Sequence, residues 1–184
     1  FIIVVSAMGQ TTDELVKMAH QMSTQPNQRE MDMLLTTGER ITMALMGMAF
    51  HDLGVPSISF TGSQAGLMTC GTHGDPEILE VQPIRVEEEI KKTRVVIVAG
   101  FQGVDPTTKE ITTLGRGGSD TTAIAMAAHF QCAHCEFKKD VEGIFSADPH
   151  KHPEAEHFPQ LTWDEVIELT EKGSPFLHVK AARM

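Results

Sequence analysis

The sequence predicts an α/β domain: a largely parallel sheet covered by helices on both faces. Three observations carry this. The runs Phe1-Ile2-Ile3-Val4-Val5 and Val95-Val96-Ile97-Val98-Ala99 are apolar without alternation, as expected of strands buried on both faces. Stretches with helical spacing, bounded by helix start and stop signals, lie between such runs. No internal repeat or low-complexity linker interrupts the 184 residues, a length that suits one domain.

The elements follow in order. Residues 1–5 form the first strand. Thr11-Thr12-Asp13-Glu14 has capping-box spacing and predicts a helix over 11–22, which Gln25-Pro26-Asn27 breaks. A long Met-rich pattern predicts a second helix over 30–53, stopped by Gly54 and Pro56. Ser57-Ile58-Ser59-Phe60 predicts a strand and 77–81 a short one. Residues 84–92 predict a helix whose Glu87-Glu88-Glu89 run reads as a solvated face. After the strand at 95–99, Asp105-Pro106 punctuates the chain and 110–113 reads as the return arm of a hairpin. Gly115-Arg116-Gly117-Gly118-Ser119-Asp120 opens a helix to about 130, with Ser119 or Asp120 as its cap. Residues 135–138 predict a further strand. Leu161-Thr162-Trp163-Asp164-Glu165 is a second capping box, leading a helix to 171. Aromatics are only 5% and Met occurs 11 times, so the core is aliphatic with flexible thioethers; Met43, Met46 and Met48 read as core packing.

Charge and cysteine content narrow the function classes. Against 25 Asp and Glu stand 15 Lys and Arg, a net charge of −10, which lacks the basic footprint of sequence-independent nucleic-acid binding. Anionic small substrates remain open, because a local Arg or a helix N-terminus can override the global field. No apolar run reaches the length of a membrane span. Three cysteines argue against a disulfide framework and for a reducing, cytoplasmic setting. The Cys132-Ala133-His134-Cys135 cluster has no second pair and reads as ordinary thiols; His150, His152 and His157 read as a solvated loop. The first residues lack the basic start and cleavage site of a signal peptide. A chain that opens inside a strand, with no Met, reads as the middle of something longer.

Three segments carry chemistry. In Leu114-Gly115-Arg116-Gly117-Gly118-Ser119-Asp120, the glycines let the backbone approach a ligand and take positive φ. Arg116 can hold a carboxylate with two parallel hydrogen bonds, and Asp120 can balance an ammonium. Together these make a clamp for an amino acid carrying both charges; the alternative is an ordinary Gly-rich turn. Thr36-Thr37-Gly38-Glu39-Arg40 puts a glycine inside a helix, at a cost of roughly 1 kcal/mol relative to Ala. Ligand approach and helix packing explain it equally well. Ser6-Ala7-Met8-Gly9-Gln10-Thr11-Thr12 is a strand, a small-residue loop and a helix start, a common anion-binding geometry without the Gly-Lys-Ser/Thr of a Walker loop.

These blocks, with Arg29-Glu30-Met31-Asp32-Met33-Leu34-Leu35, Phe60-Thr61-Gly62-Ser63-Gln64-Ala65-Gly66, Val98-Ala99-Gly100-Phe101-Gln102-Gly103, and Asp140-Val141-Glu142-Gly143-Ile144 before Ala147-Asp148-Pro149, resemble aspartate kinases in order and spacing over nearly the whole chain. The resemblance implies a three-layer α/β/α sandwich with a mainly parallel central sheet, the amino-acid kinase fold. It implies transfer of the γ-phosphoryl group of ATP, with Mg2+, to the side-chain carboxylate of L-aspartate. The product would be 4-phospho-L-aspartate, the first step of lysine, threonine and methionine (diaminopimelate) biosynthesis. It implies a cytoplasmic homodimer that engages neither membrane nor nucleic acid. Carried over by position, Glu39, Arg116 and Asp120 would hold aspartate, with Ser119 and Thr11 beside it. Ser6 and Gly9 would lie near the phosphates, and Lys139, Asp140, Phe145 and Asp148 near the nucleotide.

The family's Lys-Phe-Gly-Gly strand would precede Phe1 and its ACT regulatory domains would follow Met184, so 1–184 reads as a partial catalytic domain. No catalytic residue is assigned, because the family's lysine falls before Phe1. Departures cluster in the nucleotide half. Phe137-Lys138-Lys139-Asp140-Val141-Glu142-Gly143 replaces the usual Tyr-Thr/Ser-Asp-Val-Asp-Gly. Phe145 replaces Tyr, His150 replaces Arg and Pro175 replaces Lys. They motivate one alternative, a non-catalytic aspartate-binding paralogue; a second alternative is another amino-acid kinase with a different acceptor such as glutamate or UMP.

Overall fold

A computed structural model describes residues 1–139, 143–147, 149–171, 177 and 179–183. The elements run β1 (Ile2–Val5), α1 (Thr11–Met22), α2 (Gln28–Asp52), β2 (Ser57–Phe60), β3 (Leu67–Thr69), β4 (Ile78–Val81) and α3 (Ile84–Lys91). They continue as β5 (Val95–Ala99), β6 (Gln102–Val104), β7 (Ile111–Thr113), α4 (Gly118–His129), β8 (Ile144–Phe145), β9 (His157–Phe158), α5 (Trp163–Glu171) and α6 (Val179–Ala182).

The two apolar runs became neighbours. β5 lies between β1 and β2, parallel to both, with Val5 opposite Ala99 and Phe60 opposite Val98. Val96, Ile97, Val98 and Ala99 are fully buried, which requires cover on both faces. α2 packs on one face of this sheet, and α3 and α4 pack on the other. That is the predicted three-layer α/β/α arrangement. The core on the α3–α4 side joins Phe60, Val86, Val96, Val98 and Met126. Each such side chain stabilises the fold by roughly 1.5–3 kcal/mol on burial.

Four further strands form a separate mixed sheet in the order β4-β3-β6-β7, with β6 and β7 antiparallel as the hairpin pattern predicted, and β8 pairs with β9 in a two-stranded ribbon. A buried hydroxyl pair, Thr69 Oγ1 to Thr112 Oγ1 at 2.7 Å, ties β3 to β7 across it. A second apolar cluster lies where α4 meets α5 and α6, around Ile124, Val166, Leu177 and Ala181.

Several local expectations change. Residues 135–138 form no strand: Cys135 and Glu136 are exposed, and Phe137 packs on the second cluster instead of joining a ladder. Thr11 does not cap α1. The helix starts at Thr11 after Gln10, and the Thr11 hydroxyl donates to Met8 O at 2.7 Å. Neither Ser119 nor Asp120 caps α4, because Gly117, with φ +68°, turns the chain into the helix before them. Glu89 is not solvated: it is 8% exposed and held by Lys92 and Arg94, each at 2.8 Å. Met48 is 63% exposed, outside the core. The second capping box does form, with the Thr162 N–H donating to Glu165 Oε2 at 2.7 Å and the Glu165 N–H donating back to Thr162 Oγ1 at 3.4 Å. No helix among the described residues is long and apolar enough to cross a membrane.

Candidate functional site

In an α/β sheet, ligands bind beyond the carboxyl ends of parallel strands. Here those ends belong to β1 and β5, and two loop systems leave them side by side. β1 runs into Ser6-Ala7-Met8-Gly9-Gln10, where Ser6 and Gly9 are exposed and Gly9 turns the chain with φ +52°. β5 runs into Gly100, whose N–H donates to Val5 O at 3.0 Å and so ties the two exits together.

α2 reaches this edge through Gly38. A Cβ added there would lie 2.8 Å from Ala7 Cβ and 3.7 Å from Thr11 Cγ2. The mid-helix glycine is therefore a packing requirement: it lets α2 press against the β1–α1 loop. The next residue, Glu39, is 3% exposed, and its Oε1 accepts the Ala7 N–H at 3.0 Å. Its other oxygen, Oε2, is buried with no hydrogen-bond partner among the described residues. Burial pushes the Glu39 carboxyl up to about 7, against the pull of backbone N–H groups at Glu39 and Ala7. A buried carboxylate with one oxygen unmatched is costly unless a cation or donor completes it.

The second wall is the start of α4. Ser119 sits directly on Gly100, where an added Cβ would lie 2.9 Å from Ser119 Cα and from its hydroxyl. The Phe101 N–H donates to Thr122 Oγ1 at 3.2 Å, and the Leu114 N–H donates to Phe101 O at 2.7 Å, fastening the glycine loop to β5. Arg116 stands exposed between Gly115 (φ +71°) and Gly117 (φ +68°) and makes no hydrogen bond or ion pair among the described residues. Asp120 is gripped through both carboxylate oxygens by Lys139 Nζ, at 2.9 and 2.8 Å.

The structure thus brings Thr11, Glu39 and Ser119 to one edge through contacts with Ala7, Gly38 and Gly100, with Ser6 and Gly9 in the same loop as Ala7 and Asp120 next to Ser119. Lys139, expected beside the nucleotide, lies on Asp120. Phe145 belongs to the small β8–β9 ribbon, its ring 5.0 Å from that of His157. Asp140 and Asp148, together with Pro175, lie outside the described residues. Among the described residues, no group of three or more His, Cys, Asp or Glu is arranged to hold a metal ion.

Sequence reasoning passed over Asp32, a 1% exposed carboxylate on α2 that meets Thr113, His73 and Gly74. The signal was present: an acid inside Met31-Asp32-Met33-Leu34-Leu35, seven residues before Glu39, must share its inward face.

A family model described as the amino acid kinase family matches residues 1–184. The chain belongs to the amino acid kinase family. It is 50% identical over 179 residues to the aspartokinase of Mycolicibacterium smegmatis, which covers 97% of this chain and 42% of that protein. The solved aspartate kinase from Synechocystis matches with a TM-score of 0.81 and 46% identity, over 99% of this chain and 30% of that one. E. coli aspartokinase III in complex with aspartate and ADP gives the same TM-score, 0.81, over 94% of this chain and 39% of that one; its 23% identity speaks for the shared fold. The chain therefore spans less than half the length of these three aspartate kinases.

Proposed function

We propose that the chain is the greater part of the catalytic domain of an aspartate kinase, transferring the ATP γ-phosphoryl group to the side-chain carboxylate of L-aspartate. The observation that carries this reading is Glu39. Its buried, unmatched Oε2 lies at the carboxyl edge of β1 and β5, where the loop bearing Arg116 and Asp120 also arrives. An ammonium fits that oxygen, and a carboxylate fits Arg116. An amino acid offers both.

The chemistry asks little else of the protein. The acceptor carboxylate is already ionised near pH 7. Its oxygen attacks the γ-phosphorus, the bond to the β,γ-bridging oxygen breaks, and ADP leaves with that electron pair. No proton moves. The protein positions the partners and neutralises charge on the phosphates. Arg116 orients the acceptor. The exposed Ser6–Gly9 loop, whose Ala7 N–H is engaged by Glu39, faces the phosphates. The described side chains suit a Mg2+ that arrives on the nucleotide, held by phosphate oxygens and water, better than one caged by those side chains alone. That ion would supply charge neutralisation at the phosphates. The product, an acyl phosphate, suits the first step of the lysine, threonine and methionine pathway, in a cytoplasmic homodimer.

A second reading is favoured by one observation. Lys139 already occupies Asp120. A site neutralised from within suits a paralogue that binds aspartate and uses ATP poorly. Binding of ATP and aspartate to the full-length protein, measured separately, decides between them. Aspartate binding with no ATP binding selects the paralogue; turnover of another acceptor in preference to aspartate rejects both. In the full-length kinase, Arg116→Ala should weaken aspartate binding about tenfold or more and leave ATP binding nearly unchanged. Equal losses for the two ligands refute the role given to Arg116.

A further inference from the structure

We infer that Asp32 is a positioning residue that sets the aim of the Arg116 loop, acting through Thr113 and the 73–75 turn. Asp32 is 1% exposed, and three groups among the described residues reach its carboxylate. Thr113 Oγ1 donates to Oδ1 at 2.5 Å. His73 Nδ1, at 2.6 Å, and the Gly74 N–H, at 3.3 Å, reach Oδ2. A carboxylate at this depth offers only acceptors, so the His73 tautomer here carries its proton on Nδ1. Both oxygens are matched, which is what permits an acid to stay buried.

The three donors are the two supports of one loop. Thr113 is the last residue of β7, two positions before Gly115. His73 and Gly74 belong to the β3–β4 connection, which lies against the same glycine from outside. A Cβ added at Gly115 would lie 2.7 Å from Asp75 Oδ1 and 3.3 Å from Gly74 O. Asp75 is itself held by Lys180 of α6. The glycine loop is thus clasped between its root in β7 and the 73–75 turn, and Asp32 joins the two.

Arg116 forms no hydrogen bond or ion pair of its own among the described residues, so its backbone decides where the guanidinium starts. Seven residues along α2, on the same face, Glu39 holds the other loop through the Ala7 N–H. One rigid helix therefore carries two buried carboxylates about 10 Å apart, one for each wall of the site. Helix geometry, and not loop packing alone, fixes the spacing between the two walls.

The inference rests on the reading that Arg116 holds an acceptor carboxylate, and the test separates the two. In the full-length protein, Thr113→Val removes the hydroxyl donor while keeping shape, and Thr113→Ser restores it. His73→Leu removes the ring donor at a less buried place, and His73→Asn returns an N–H near the position of Nδ1. KM for aspartate and for ATP, and amide hydrogen exchange of segment 114–118 without ligand, are measured for all four. Thr113→Val and His73→Leu should raise the aspartate KM about tenfold, leave the ATP KM within about twofold and speed exchange in 114–118, with Ser and Asn reversing each effect. An equal rise in both KM values, or a lowered Tm with an unchanged aspartate KM, overturns the inference. If the unaltered protein turns over no aspartate, the functional reading fails and exchange alone judges this one. Exchange in 114–118 left unchanged by both Thr113→Val and His73→Leu then overturns it.

Discussion

Replacing Glu39 with Gln should make the protein more stable at neutral pH while disabling its acceptor site. The substitution keeps the shape and an oxygen for the Ala7 N–H, and puts a neutral amide NH2 where the unmatched carboxylate oxygen stood. Burial carries this carboxyl from its ordinary 4.5 up to about 7. The folded chain therefore binds a proton that the unfolded chain has released between those two values. Stability contributed by the neutral form is full below about 4.5 and is lost as pH rises through about 7. A displacement of that size corresponds to something on the order of 3 kcal/mol. Denaturant unfolding of wild type and Glu39→Gln, from pH 4 to pH 8, isolates the term as the difference between the two curves. The variant should gain on wild type across the window by up to that amount. Binding gives a second reading. An ammonium placed on Oε2 would expel the proton, so below about pH 7 aspartate binding should release a proton, and the release should fade as pH rises above that value. Calorimetry in buffers of different ionisation heat measures that release, and Glu39→Gln should abolish it along with most of the affinity. Parallel stability curves for the two proteins would refute the argument, because the buried oxygen would then be paid for in some way the geometry does not contain.

Two further outcomes follow from named contacts. Lys139→Thr frees Asp120 and should lower the aspartate KM several-fold, with a stability loss of no more than about 1 kcal/mol because the ion pair is only partly buried. A KM unchanged or raised, at unchanged Tm, rejects the view that Lys139 competes with the acceptor's ammonium. Gly38→Ala should destabilise by about 1–3 kcal/mol despite the better helix propensity of Ala, since the new methyl would sit 2.8 Å from Ala7 Cβ. Adding Ala7→Gly should recover much of the loss in a double-mutant cycle.

Much of the layered architecture was legible in the sequence. The β5 run Val95–Ala99 is buried on both sides, so its whole pattern is written in consecutive residues. α2 was legible because its 25 residues repeat one period many times over, with Asn27 capping its start through the Arg29 and Glu30 N–H groups. The glycine loop declared itself too, since positive φ at Gly115 and Gly117 restricts which residues can stand there. Short elements were not legible. β3, β8 and β9 have two or three residues each, and their partners define them. Residues 135–138 show the converse: a strand-like pattern whose one half-buried side chain, Phe137, found a helix cluster instead of a ladder. Thr11 and Glu14 had the spacing of a cap, but the hydroxyl found a nearer carbonyl in the loop before it.

By itself the sequence determined the fold class, the order of the main elements and the residue types offered at each loop, because those depend on period, composition and backbone restriction along the chain. Only the tertiary structure decided that Gly38 is glycine to admit Ala7, that Glu39 keeps one oxygen unmatched, that Lys139 sits on Asp120, and that Asp32 ties Thr113 to the 73–75 turn. These are facts of distance between residues 19 to 81 positions apart. The chemistry of a buried carboxylate is set by what surrounds it in space, and no local pattern of side chains encodes that.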